Sequence, residues 1–273
     1  MPLKRARFLL SALVFGYAFL YLPIFTVVVF AFNDSPIVMT WGGFSVKWFG
    51  ALFRNERILQ AASLSLKIAL MTAVLSVVIG TTAAMVMVRF KKFKGRPFFN
   101  SLVTAPLVMP DVMVGLALLL LFVALYQLTG WPAARGAVTI MIGHTTIAIA
   151  YVILIVRARL AEFDSSLEEA ALDLGAKPLT VFIKITLPII MPAIASGGLL
   201  AFTLSFDDVI LASFLSGSGS STLPMVIFSS VRHGVSPEIN AFATVVLTIV
   251  TLSVIATGVF MHRRLKNSHK LKD

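Results

Sequence analysis

Cysteine is absent from this 273-residue chain, and charged residues make up only 13% of it. The absence of cysteine excludes disulfide bonds, cysteine-containing zinc sites and cysteine nucleophiles. Soluble domains contain about 25% charged residues, and a soluble globule with half that share would expose far too much apolar surface. The scarcity of charge therefore excludes a cytosolic enzyme, a disordered chain and a nucleic-acid-binding protein.

Acidic residues are especially few, with 12 Asp and Glu against 23 Lys and Arg, which gives a formal net charge of +11. Hydrophobic residues, in contrast, make up 58% of the chain, and the mean hydropathy is +0.95. Ordinary soluble domains contain about 45–50% apolar residues. The excess predicts an integral membrane protein whose surroundings are the lipid bilayer.

Six stretches are long and apolar enough to cross a bilayer, since a spanning helix needs about 20 mainly apolar residues. They are residues 8–32, 66–88, 99–126, 137–156, 189–215 and 241–261. These runs lack the alternation of polar and apolar residues that the strands of a membrane β-barrel require. The sequence predicts an all-α integral membrane protein with six transmembrane helices and a single membrane domain over residues 1–273.

The positions of the basic residues predict the orientation of the chain. Of the 23 Lys and Arg, 17 fall in residues 4–7, 89–96, 157–184 and 263–272. With six spans these segments all lie on one side of the membrane, and short cytoplasmic loops carry an excess of Lys and Arg. Both termini are therefore expected in the cytoplasm.

The segment 157–188 is the sizeable polar stretch on that side, and it contains five of the twelve acidic residues. Ser166 is expected to cap a first helix, with Glu169 completing a capping box. Gly175 is expected to end this helix, and Pro178 to begin a second one. Because a helix of about eight residues is marginal alone, it must either dock into a groove of another protein or pack against the helix bundle.

The same segment matches the motif E-A-A-x3-G-x9-I-x-L-P at every defined position. The matching residues are Glu169, Ala170, Ala171, Gly175, Ile185, Leu187 and Pro188. Through them the chain resembles the membrane subunits of binding-protein-dependent ABC importers, whose cytoplasmic coupling helix sits in a cleft of the ATPase. The resemblance implies a type I ABC importer permease fold and a role in ATPase coupling for these seven residues.

Segments 105–112, 206–214, 222–225 and 234–240 resemble the permeases of polyamine importers. This resemblance implies an inner-membrane permease that moves polyamines into the cytoplasm, with putrescine favoured over spermidine. It also implies a heterodimer with a second, related permease subunit, a dimeric ABC ATPase and a periplasmic polyamine-binding protein. Since the chain lacks the motif G-x-x-x-x-G-K-[ST], ATP and Mg are expected on the ATPase, and no cofactor or metal is expected on this chain.

Three aspartates fall within predicted spans, where charged residues are costly and point to a functional site. At a rise of 1.5 Å per residue, Asp111 lies about 18 Å into its span, and Asp207 and Asp208 about 27 Å into theirs. Their carboxylates suit the ammonium groups of a polyamine, and Phe206 can add cation–π contact. We therefore assign Asp111, Asp207, Asp208 and Phe206 to a substrate path.

Each of these aspartates also has a structural interpretation. Pro106 and Pro110 are expected to break the third span, and Asp111 could cap the helix that restarts after the break. Asp207 and Asp208 point in different directions on a helix, so one of them could face a cavity while the other forms a structural pair. The sequence leaves both interpretations open.

Other functional classes have weaker support. An ion-coupled secondary carrier that works alone usually has more spans or inverted repeats, and it needs no docking loop. An ABC permease for another small solute would share the coupling motif. An intramembrane enzyme is disfavoured because the chain has no H-E-x-x-H motif and no convincing Ser/His dyad. His144, in the fourth span, is expected to be a satisfied polar residue rather than a substrate ligand.

Overall fold

The structure, a computed structural model, describes residues 2–37, 40–90, 92–233 and 237–269, most of which are helical. The helices are α1 (Pro2–Ala31), α2 (Lys47–Leu52), α3 (Glu56–Arg89), α4 (Arg96–Val108), α5 (Asp111–Thr129), α6 (Ala137–Ala161), α7 (Ser166–Asp173), α8 (Pro178–Val181), α9 (Leu187–Phe206), α10 (Ile210–Leu215), α11 (Leu223–His233) and α12 (Pro237–His269). A π-helical segment, Phe182–Thr186, joins α8 to α9. Parts of two basic segments and of one polyamine-permease segment, namely residues 91, 270–273 and 234–236, lie outside the described residues.

The prediction of six spans is confirmed for the part of the chain that the structure describes. The six helical stretches that are long and apolar enough to cross a membrane are Arg7–Ala31, Glu56–Arg89, Asp111–Thr129, Ala137–Ala161, Pro178–Phe206 and Pro237–Ala256. The third and the fifth differ most from the predicted stretches. The first difference places Asp111 at the start of a helix, and the second places Asp207 and Asp208 between two helices.

The third predicted span is two helices, α4 and α5, separated at Met109 and Pro110. Both residues have extended backbone, with ψ of 136° and 137°. Proline has no N–H for the helical hydrogen bond and disfavours a helical conformation in the residue before it, so the predicted break at Pro110 is confirmed. Pro106 lies inside α4 and does not end it, so the predicted break there is wrong. Asp111 therefore begins a spanning helix and does not lie twelve residues within one.

The fifth predicted span, residues 189–215, is wrong at both ends. The helical run starts at Pro178 and ends at Phe206, and α10 follows after a three-residue interruption. At the start, the wide turn of the π-helical segment precedes Pro188, whose missing N–H leaves the carbonyl of Lys184 without its usual helical partner. At the other end, the interruption places Asp207 and Asp208 between two helices.

Close contact among α3, α6 and α9 forms a core in the compact unit Gln60–Phe228. Val152 of α6 is fully buried there. A Cβ atom placed on Gly80 would lie 2.8 Å from Val152 Cγ1, and one placed on Gly197 would lie 3.4 Å from it. Because small residues let membrane helices approach closely, these glycines allow α3 and α9 to pack on α6, and α6 carries the site described below.

A second compact unit comprises Met1–Leu59 and Ser229–Asp273, and α1 packs along α12 within it. Asn33 organises the loop after α1. Its Nδ2 donates a hydrogen bond to the Thr40 carbonyl at 2.8 Å, and its Oδ1 accepts one from the Gly42 N–H at 2.8 Å. The interpretation of the chain as a single membrane domain stays a prediction.

Candidate functional site

His144 connects α6 to the end of α9 and the interruption that follows it. Its Nδ1 lies 2.7 Å from Ser205 Oγ and its Nε2 lies 3.2 Å from Asp208 Oδ1, and its side chain is only 3% exposed. If Nε2 carries the proton, the ring donates to Asp208 and the Ser205 hydroxyl donates to Nδ1, so a neutral ring satisfies both contacts. The prediction that His144 is a satisfied polar residue is confirmed.

Asp208 also joins the interruption to α10. Its Oδ1, which contacts His144, accepts a hydrogen bond from the Ala212 N–H at 2.9 Å. The carboxylate thus satisfies one of the backbone donors that are free at the start of a helix, where negative charge is also favourable. Among the described residues, Oδ2 of Asp208 has no hydrogen-bond partner. One oxygen holds the local structure, and the other can meet a ligand.

Asp111 and Asp208 line the same small cleft, which has a volume of about 80 Å³. The other lining residues are His144, Ile147, Tyr151, Leu204, Ser205 and Leu211. Among the described residues, the Asp111 carboxylate makes no hydrogen bond or ion pair. The cleft therefore brings together two of the three sequence-predicted aspartates, and it exposes the carboxylate of Asp111 and one oxygen of Asp208 to a cation.

Asp207 and Phe206 do not line this cleft. Asp207 is exposed, and its N–H donates to the Thr203 carbonyl at 3.2 Å at the end of α9. Phe206 stacks on Phe202, with ring centroids 5.6 Å apart and ring planes inclined by 13°. The structure thus separates the two adjacent aspartates, one in the cleft and one outside it.

Tyr151 is a cleft residue that the sequence analysis missed. It follows His144 by seven residues, which places both side chains on the same face of α6. An aromatic face beside two carboxylates adds a surface that can attract a cation. The seven-residue spacing from His144 was the signal that could have identified it.

Of the two interpretations left open for Asp111, capping of the restarted helix is wrong. Pro110 occupies the capping position of α5 and makes no side-chain hydrogen bond, and Asp111 is the first helical residue. The Pro110 carbonyl accepts the N–H groups of Met113 and Val114, at 2.9 and 3.2 Å. The carboxylate of Asp111 is consequently not engaged by its own helix, although its place in the first turn is favourable for a negative charge.

The predicted first helix of segment 157–188 is present as α7, but Ser166 does not cap it. Ser166 is the first helical residue, and its N–H donates to Asp164 Oδ1 at 3.0 Å. This hydrogen bond lowers the pKa of the Asp164 carboxyl below its usual range. Asp164 has the short acidic side chain favoured before a helix, so the capping box predicted from Ser166 and Glu169 is wrong.

The end of α7 agrees with the sequence prediction. Gly175 has φ of +84°, and its N–H donates to the Leu172 carbonyl at 2.9 Å. The Ala176 N–H donates to the Ala171 carbonyl at 3.1 Å, which completes the pattern of a glycine-terminated helix. Pro178 begins α8, as predicted, but α8 continues through the π-helical segment into α9 instead of forming a separate second helix.

The coupling-motif residues lie on α7, in the turn after it, in the π-helical segment and at the start of α9. Glu169, Ala170, Gly175 and Pro188 are exposed, whereas Ala171, Ile185 and Leu187 are half-buried. Leu167 of α7 is 49% exposed, and Leu174, which directly follows α7, is 89% exposed. An exposed apolar face on a short helix is typical of a surface that docks on another protein.

Glu168 is the buried acid of α7, and the sequence analysis missed it. Its Oε1 accepts hydrogen bonds from Arg89 at the end of α3 and from the Thr186 hydroxyl. Burial raises the pKa of the Glu168 carboxyl, but the two hydrogen bonds and the charge of Arg89 outweigh burial and bring the pKa below its usual value. The partners lie 79 and 18 residues away in the chain, so no local pattern marks this residue.

Comparison with known proteins gives one family and consistent relatives. Residues 76–268 match the family described as "Binding-protein-dependent transport system inner membrane component". The chain is 53% identical over 250 residues to the putrescine transport system permease protein PotI of Escherichia coli (strain K12), which covers 92% of this chain and 89% of that protein. It is 39% identical over 253 residues to the spermidine/putrescine transport system permease protein PotC of the same strain, covering 92% and 93%.

A solved structure supports the fold. The crystal structure of a bacterial ABC transporter involved in the import of the acidic polysaccharide alginate superposes with a TM-score of 0.68 at 16% identity, covering 96% of this chain and 97% of that one. At this identity the likeness shows the fold alone. The relatives compared by sequence are named permeases, so the prediction of a permease and not an enzyme is confirmed.

The link between α6 and α9 can be tested by removing the His144 ring. His144→Leu leaves Ser205 and Asp208 without a buried partner and should lower the free energy of unfolding by about 1–3 kcal/mol. Thr146→Val is the matched control, because the exposed Thr146 hydroxyl donates only to the Ile142 carbonyl of its own helix. The measurement is the apparent midpoint of thermal unfolding in detergent, and equal midpoints for the two variants would contradict the structural link.

Proposed function

We propose that this chain, which belongs to the family of binding-protein-dependent transport system inner membrane components, is the permease subunit of an ATP-driven importer of polyamines. Putrescine is the favoured substrate and spermidine the second one. The observation that carries the substrate class is the 53% identity to a permease named for putrescine over 92% of the chain. The chain is a multi-pass protein of the inner membrane, and we place both of its termini in the cytoplasm.

The cleft lined by Asp111 and Asp208 supports the proposal that a cation passes along this chain. Two carboxylates that share a small cleft repel each other, and an ammonium group between them relieves that repulsion. The volume of about 80 Å³ suits one ammonium group at a time and not a whole polyamine. Tyr151 offers an aromatic face, and Asp207 and Phe206 border the path outside the cleft. Binding must stay weak here, because a tightly held substrate would not leave.

The exposed residues of α7 support the proposal that a separate ATPase subunit is the energy source. We assign Glu169, Ala170, Ala171, Gly175, Ile185, Leu187 and Pro188 to docking on that subunit, because exposed residues among them adjoin the exposed apolar face of α7. ATP and Mg bind to the ATPase, which is a dimer. The cytoplasmic coupling segment is about residues 157–188.

Two further partners follow from the family. The family description makes transport dependent on a binding protein, and for this chain we propose a periplasmic polyamine-binding protein. Six spans with interrupted helices need a second wall to enclose a path, so we also propose a heterodimer with a related permease subunit. Selection among polyamines belongs mainly to the binding protein.

Reconstitution in liposomes tests the function. The chain, a related permease, the ATPase and the binding protein should together give ATP-dependent putrescine uptake, and omission of any one subunit should abolish it. Uptake by this chain alone, driven by a proton or sodium gradient, would instead establish a secondary carrier.

Competition with spermidine and with a neutral solute such as maltose separates a polyamine system from an importer of another solute. An active homodimer, detected by native mass measurement, would overturn the heteromeric assembly.

Coupling should depend on the left-handed turn at Gly175. Gly175→Val forces a β-branched residue to φ of +84°, which costs about 1–2 kcal/mol, although the space around its Cβ is open. The variant should insert normally but lose ATPase association and uptake, and Glu169→Lys should do the same through the docking face. Gly175→Asn is the matched control, because asparagine tolerates this conformation. Normal uptake by both Gly175→Val and Glu169→Lys would refute the assignment.

Neutralising either carboxylate of the cleft should slow transport and leave the transporter assembled. Asp208→Asn keeps an oxygen that can accept the hydrogen bonds from His144 and Ala212, so it removes charge with little change of structure. Loss of about 1 kcal/mol of attraction per carboxylate predicts about fivefold slower uptake for Asp111→Asn and for Asp208→Asn. Assembly and ATPase stimulation by the loaded binding protein should persist. Asp207→Asn is the adjacent control with a smaller effect, and unaltered uptake in all three variants would remove these residues from the path.

A further inference from the structure

Helix α7 makes little apolar contact with the rest of this chain. Leu167 and Leu172 of α7, and Leu174 directly after it, are 49%, 44% and 89% exposed. A cleft of about 210 Å³ also remains open where α7 faces Met85 of α3 and Phe182 of the π-helical segment. Because an eight-residue helix is marginal alone, another interaction must hold α7 in place.

That interaction is the carboxylate of Glu168, which is 8% exposed. Its Oε1 accepts hydrogen bonds from Arg89, the last residue of α3, and from Thr186, the last residue of the π-helical segment and fully buried. A single oxygen atom therefore joins α7 to the last residue of the second candidate span and to a residue in the first half of the fifth. Hydrogen bonds between charged partners are about twice as strong as neutral ones.

Along the chain, α7 is connected to the spans through a turn at each of its ends. Before α7, the chain passes through the turn that contains Asp164, and after α7 it passes through Gly175 and the extended residue Lys177. Turns of this kind can absorb a displacement by changing their dihedral angles. A displacement of α7 thus reaches α3 and α9 most directly through Glu168.

We propose that Glu168 is a positioning residue that transmits the movement of the ATPase-docked α7 to α3 and α9. The proposal rests on the proposed function, because it requires that α7 docks on an ATPase. Glu168 is distinct from the docking residue Glu169, which is exposed on another side of the same helix. Its role is intramolecular, between the docking helix and the spans.

The experiment uses the complete reconstituted transporter and compares four properties of each variant. These are assembly, basal ATP hydrolysis, and stimulation of hydrolysis by the loaded binding protein together with uptake. Glu168→Gln removes the charge at nearly constant volume, and Thr186→Val removes the hydroxyl donor at constant shape. Both should assemble and hydrolyse ATP at the basal rate but lose at least about fivefold in stimulation and uptake, within the usual range of coupling between sites.

Matched variants separate this role from a general structural one. Thr186→Ser keeps the donor and should behave as the unaltered chain. Glu162→Gln is the control for charge in the same segment, because Glu162 forms an exposed pair with Arg159 at 3.7 Å. In the double variant of Glu168→Gln with Arg89→Gln, the loss should not exceed that of Glu168→Gln alone, as expected for two residues of one interaction.

Normal stimulation and uptake in Glu168→Gln and Thr186→Val would overturn the proposal. Assembly and basal ATP hydrolysis that fall in parallel with stimulation and uptake would also overturn it, because Glu168 would then be only structural. The proposal is also overturned if Thr186→Val and Thr186→Ser give equal stimulation and uptake. If the unaltered chain assembles with no ATPase at all, the proposed function fails first, and this inference fails with it.

Discussion

Hydrocarbon offers no hydrogen-bond partner to a peptide group, so every interruption of a membrane helix must be satisfied by the protein itself. The interruption between α4 and α5 involves Pro110, which has no N–H to satisfy. The interruption between α9 and α10 is satisfied by Asp208, whose carboxylate accepts the Ala212 N–H and contacts His144. Asp111, the first residue of α5, and Asp208, in the interruption after α9, border one cleft. The site is thus a consequence of how the two breaks are accommodated.

The two acids of this cleft have different surroundings, and the difference suits a path better than a binding site. Asp208 is oriented by His144 and the start of α10, whereas Asp111 has no partner among the described residues. A fixed carboxylate and a free one can attract a cation together while only one of them is held in place. Such an arrangement gives attraction without the full set of contacts that would trap a substrate.

Helix α7 is attached to its own chain by a buried acid, whereas a surface helix usually packs through its apolar residues. Leu167 is 49% exposed, while the acid Glu168 is buried against Arg89 and Thr186. A buried charge is tolerated only when it is paired and hydrogen-bonded, and both conditions hold here. The apolar face is therefore free for another subunit, and the polar face fixes the helix to its own chain.

The sequence by itself determined the features that depend on local chemistry. Hydropathy identified six spans, Pro110 predicted a break through its missing N–H, and Gly175 predicted a left-handed helix end because other residues are strained there. Only the tertiary structure decided that α9 ends at Phe206, that Asp208 and not Asp207 enters the cleft, and that Glu168 is buried. The reason is physical: the partners of Asp208 and Glu168 lie 64 and 79 residues away, and a contact over such a distance leaves no periodic trace in the sequence.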